Sequence, residues 1–147
     1  MPNAVVMTGY GPPEVLKWAG APLAEPGQGQ IRIKVKAAGI SPTDLALRAG
    51  YLKDAIPLPH DAVLGYEAAG TVDAVGPGVT GTSRGSVVTA LLLGLGGYAE
   101  YAVASIWTCK PDTVSWIDAA ALPSSAEAAG KGVLADAIAL AGGPGRR

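Results

Sequence analysis

The clearest pattern in the chain is the alternation Ile31-Arg32-Ile33-Lys34-Val35-Lys36-Ala37, which sets Ile31, Ile33 and Val35 on one face of a strand and the basic residues on the other. Apolar runs at 4–8 and 15–18 are separated by Tyr10-Gly11-Pro12-Pro13, a strand, turn and strand. Residues 68–75 and 85–88 predict further strands around the turn-rich GPGVTGTSRG. One short helix stands out: Ser41 is placed as its N-cap, Pro42 in its first turn, Asp44 near its positive end and Gly50 at its stop. Ile56-Pro57-Leu58-Pro59-His60 predicts an extended loop, because prolines remove donors and push their predecessors out of helical conformation. This succession predicts a mainly β fold with short helices, a barrel or sandwich.

The stretch Gly94-Leu95-Gly96-Gly97-Tyr98-Ala99 contains G-x-G-x-x-A after the apolar run Val87–Leu93. In a dinucleotide site such a turn opens a helix whose N-terminus meets the pyrophosphate. Here Tyr98, Glu100 and Ala102 alternate with Ala99, Tyr101 and Val103, which predicts a strand, so the motif reads as a glycine turn into a barrel strand.

Composition narrows the partners. The 147 residues are 49% hydrophobic and 16% charged, with 21 Gly and 12 Pro, which suits one domain rich in tight turns. A net charge of −1 with both signs interspersed offers no basic surface for nucleic acid or an anionic membrane. The single Cys109 forms no internal disulfide, and MPNAVVMTGYG has neither a basic start nor a long apolar run, so a cytoplasmic location is expected.

Taken in order, GYGPPEVL, GQGQIRIKVKAAGISPTDLALRAGYL, VLGYEAAGTVDAVGPGV and GGYAEYAVA resemble the catalytic domain of the medium-chain dehydrogenases/reductases, above all the zinc-free quinone oxidoreductases. The likeness runs from residue 1 to about 125. It implies a GroES-like β-barrel without a complete Rossmann domain, over residues 1–129, followed by a short helical tail over 130–147 that stands where a nucleotide-binding domain is missing. The zinc members carry a Cys and a His where this chain has Ser41 and Tyr66, neither a usual zinc ligand, so no metal is expected. No segment from 119 to 147 supplies a strand, a glycine turn and a helix in that order. Gly142-Gly143-Pro144-Gly145 follows a helical pattern, which suits a helix stop. NADPH binding is therefore expected to be lost, no cofactor-binding residue is assigned, and NADPH would serve only with a nucleotide-binding domain supplied elsewhere.

The resemblance places Ser41, Asp44, Tyr51, Tyr66 and Glu67 near the family's substrate cleft. Ser41 serves equally as a substrate hydrogen-bond donor or a helix cap, and Asp44 more readily as part of the cap. Tyr51 on its loop could donate to a developing enolate. Tyr66 would either line a pocket or fill the old metal space. Glu67, set among apolar residues, must be paired, hydrogen-bonded or protonated; a structural partner such as an Arg is the commoner answer, and facing a water-excluded cavity it would instead serve as a general acid or base. His60 reads as an exposed loop residue; with Ser124 and an aspartate it makes a triad only on paper. Trp107 and Trp116 flank Cys109 in a packed segment, where a lone Cys is expected to be a small buried hydrophobe.

Three functions follow as expectations. The first is the catalytic domain of a zinc-independent reductase of a quinone or enone. The second is a cofactor-independent cyclase, isomerase or dehydratase of a polyketide-like molecule, using the retained pocket. The third is a non-catalytic binding or assembly module, with an exposed apolar face that favours a homodimer.

Overall fold

The computed structural model describes residues 1–130. Its strands are β1 (Asn3–Met7), β2 (Leu16–Gly20), β3 (Ile31–Ala38), β4 (Ala62–Val63), β5 (Glu67–Val75), β6 (Val87–Leu91), β7 (Tyr101–Ala104) and β8 (Ile106–Cys109). The helices are α1 (Pro42–Ala49) and α2 (Trp116–Ala121), with a 3-10 turn at Pro13–Val15. Residues 123–130 are also helical, and the tail expected over 130–147 lies, apart from Gly130, outside the described residues.

Every strand pairing is antiparallel. One sheet has the order β2-β1-β4 and the other β7-β3-β5-β6-β8. The segment before β7 joins them: Ala99 stands opposite Ala4, the Val5 amide donates to the Tyr98 carbonyl at 2.7 Å, and the Glu100 amide donates to the Asn3 carbonyl at 2.9 Å. The two sheets form a GroES-like β fragment that is not closed into a complete barrel among the described residues. The glycine turn 94–97 thus leads into a strand, as its alternation predicts, although the ladder with β3 starts only at Tyr101.

The main core gathers Ile31, Ile33, Val72, Val88 and Leu92 with small Ala68, Ala90 and Ala102. Burying each of the larger side chains contributes about 1.5–3 kcal/mol. A second cluster of Met7, Leu47 and Leu64 seats α1, and a third of Ala69, Ala119 and Ala120 lets α2 approach β3 and β5 closely. In α1 the expected start is a reciprocal capping box, since Ser41 Oγ accepts from the Asp44 amide and the Asp44 carboxylate accepts from the Ser41 amide. Gly50 closes the helix at φ +85°, a left-handed conformation that costs glycine nothing.

The basic face of β3 departs from the alternation. Lys34 and Lys36 are exposed, but Arg32 is buried. Its Nε and Nη2 donate to the two Asp73 oxygens at 2.9 and 3.0 Å, and its Nη1 reaches the Ala24 carbonyl and Glu25. The register against β5 shifts between Arg32 and Ile33, leaving Asp73 as the extra residue beside Arg32, and again between Val35 and Ala37. Cys109 also departs from expectation: it is exposed at the end of the edge strand β8, which pairs with β6 on one side only.

Candidate functional site

Ser41 and Asp44 form a polar knot at the start of α1, while a third candidate, Glu67, is held separately by Ser124. Asp44 is 2% exposed and Glu67 4% exposed. Asp44 Oδ2 accepts from the Ser41 amide at 2.9 Å and the Ser41 hydroxyl at 2.8 Å, while Oδ1 accepts from the Gly65 amide at 3.1 Å. The Ser41 proton is therefore committed to Asp44, which removes the hydroxyl's capacity to donate to a substrate carbonyl in this arrangement.

Glu67 opens β5, and its Oε2 accepts from both the amide and the hydroxyl of Ser124, at 2.9 and 2.8 Å. Its partner is thus the first turn of the helical stretch 123–130 rather than the Arg that its setting suggests. Free amides at a helix start hold a carboxylate well, which explains how an acid among alanines is satisfied without a cation. Only glycine fits at position 39, because a Cβ there would run into the Glu67 carboxylate.

Tyr98 completes the knot, and the sequence did not single it out. Its hydroxyl is buried without a hydrogen bond of good geometry. Burial pushes the phenol well above its ordinary value, and the Asp44 carboxylate beside it, through its charge and a hydrogen-bonding contact, and then the charge of Glu67 push it the same way. Being the tyrosine that follows a glycine turn was its only signal. The folded chain binds the phenol proton more tightly than the unfolded one, so Tyr98 withdraws stability as pH rises above about 10. Tyr98→Phe is expected to leave the neutral-pH denaturation midpoint unchanged or slightly raised, and to reduce its alkaline fall; a drop of the midpoint at pH 7 would contradict an unpartnered hydroxyl.

The remaining candidates lie differently. Tyr66 is half-buried, with its ring against the Met7, Leu47 and Leu64 cluster. Tyr51 is 85% exposed just after α1 and is not drawn into the knot. His60 Nδ1 pairs with Asp61 at 2.8 Å on the surface while Ser124 serves Glu67, so the paper triad is not assembled. Among the described residues no three His, Cys, Asp or Glu side chains converge as a metal-holding group. The glycine turn 94–97 leads into β7 and not into a helix whose start could meet a pyrophosphate.

Two of the cavities among the described residues lie elsewhere, and none of the five candidates lines either. One of about 710 Å³ runs between β6, β8 and the start of 123–130, walled by Leu91, Trp107, Cys109, Leu122 and Ala126. The other, of about 400 Å³, lies under the loop between β2 and β3.

Two partial antiparallel sheets with α1 and α2 against them, and a polar knot at their junction, define a mainly β catalytic-type domain of the medium-chain dehydrogenase/reductase kind. Residues 27–112 match the alcohol dehydrogenase GroES-like domain, and the chain belongs to that family. It is 36% identical over 104 residues to a quinone oxidoreductase of Lama guanicoe, covering 70% of this chain and 31% of that protein. It is 35% identical over 100 residues to a 2-haloacrylate reductase of a Burkholderia species, covering 68% and 30%. A quinone oxidoreductase structure from Coxiella burnetii superposes with a TM-score of 0.77 at 31% identity, over 93% of this chain and 45% of that one. The chain spans about a third of the length of these two curated relatives. No helix among the described residues is long and apolar enough to cross a membrane.

Proposed function

We propose that this chain supplies the substrate-side domain of a zinc-independent oxidoreductase acting on a quinone or enone, with the hydride donor held outside residues 1–130. The observation that carries the reading is the state of the two positions where zinc members place a Cys and a His. Ser41 is tied by its proton to Asp44, and Tyr66 is packed on an apolar cluster. Both are used up in organising the domain, which supports chemistry that polarises a carbonyl by hydrogen bonding. Asp44 and Glu67 then act as positioning residues, holding the start of α1 and of 123–130. Tyr51 is the phenol free to approach a substrate and donate to an oxygen that gains charge.

The described residues do not fit a nicotinamide dinucleotide, so no step on this chain is assigned to it. A calorimetric titration of the 147-residue chain tests the reading. Duroquinone is expected to bind saturably, Tyr51→Phe to weaken it by about fivefold, and NADPH alone to give no binding heat. Absence of duroquinone binding, indifference to Tyr51→Phe, or stoichiometric zinc in the purified protein would each overturn the proposal.

A further inference from the structure

The cavity of about 400 Å³ is of a size that takes a small ligand. Its roof is a strap over residues 21–26, contributing Ala21, Pro22 and Ala24. Its floor is apolar, with Val63, Leu91, Ala99 and Ala102. One wall is the glycine turn that follows the apolar run, Gly94-Leu95-Gly96, for which the proposed function has no use. Leu95 sits at φ +65° there, a conformation that non-glycine residues adopt rarely and that clusters at ligand sites.

The lining also carries a polar pair, Gln30 and Ser105. Gln30 Nε2 donates to Ser105 Oγ at 3.1 Å, and Gln30 Oε1 accepts from the Gly27 amide at 2.9 Å. Ser105 is the acceptor in its pair with Gln30, so its own proton remains available to a ligand acceptor. The strap is held by Arg32 Nη1, which reaches the Ala24 carbonyl at 3.1 Å and Glu25 at 2.9 Å. Arg32 keeps both Asp73 oxygens on its other edge, so the strap can lift from Nη1 while the guanidinium stays in place. The Glu25 side chain is 76% exposed, and an ion pair with so open a partner gives way at little cost.

We propose that this cavity binds a small, mostly apolar molecule with one carbonyl oxygen, admitted beneath the strap and anchored by the Ser105 hydroxyl. The site is separate from the one proposed above, because Ser41, Asp44, Tyr51, Tyr66 and Glu67 take no part in it. The probes are acetophenone and ethylbenzene, which differ in the carbonyl, titrated against the full chain by saturation-transfer NMR. Acetophenone is expected to bind saturably and about fivefold more tightly than ethylbenzene, with Ser105→Ala erasing the difference. Ala24→Phe, which fills the cavity, is expected to abolish binding of both at an unchanged melting temperature. Ala99→Leu serves the same purpose should Ala24→Phe disturb the fold. No saturable binding, a carbonyl preference that survives Ser105→Ala, or binding that survives both filled variants overturns the proposal. Because Tyr51→Phe should leave acetophenone affinity unchanged, failure here is distinguishable from failure of the quinone site.

Discussion

Asp73→Ala is expected to lower unfolding stability by about 3 kcal/mol, read as a shift of the denaturant midpoint at unchanged slope. Arg32 is the one buried cation among the described residues, and Asp73 meets it with both oxygens across β3 and β5. The hydrogen bond to Asp73 does most to raise the guanidinium pKa, against the opposing effect of burial. Removing the carboxylate leaves a buried charge whose remaining bonds go to the Ala24 carbonyl and the exposed Glu25. Breaking such a pair costs more than the pair contributes, because the desolvation of the survivor is no longer offset. Arg32→Met is therefore expected to cost less than Asp73→Ala, since it removes the charge and leaves an apolar stem in the same space. Glu25→Ala should fall within about 0.5 kcal/mol of the parent chain. Equal losses for Glu25→Ala and Asp73→Ala would show that the guanidinium is solvated in place and the account is wrong.

The parts of this fold that were legible in the sequence are those set by local chemistry. The Ser41 and Gly50 boundaries of α1 follow from which residues satisfy free amides and adopt positive φ. The strand after the glycine turn follows from its alternation, which rules out a phosphate-binding helix there. Long-range pairing was not legible. The burial of Arg32 depends on an Asp forty-one positions away and on bulges that shift its register, and neither leaves a local trace. Strand β8 was hidden because it forms an edge with three of its four residues exposed, so its sequence carries no clean alternation. In the site, Asp44 was legible as a cap, but its third bond, to Gly65, comes from a loop folded back over twenty-one positions. Glu67 was legible as a buried acid needing a partner. That the partner would be the backbone and hydroxyl of Ser124 was not, because amide donors are common to every residue type except proline.

Asp44→Ala is expected to destabilise the chain by about 3 kcal/mol, and Asp44→Asn by roughly half as much. The carboxylate accepts three hydrogen bonds while 2% exposed, two from Ser41 and one from the Gly65 amide. Truncation to alanine removes Asp44's half of the capping box, the acceptor of the Ser41 amide, worth about 1 kcal/mol, and leaves the buried Gly65 amide unpaired, at about 1–3 kcal/mol. Asparagine keeps one acceptor oxygen, so it can serve one side of the knot but turns a donor amide toward the other. A positioning residue and a reacting one respond differently to that exchange. If Asp44 only holds the start of α1 against Gly65, folded Asp44→Asn loses midpoint yet binds duroquinone as the parent does. A variant that keeps its midpoint and loses duroquinone would instead put Asp44 in contact with the substrate, because only a role beyond the cap separates binding from stability.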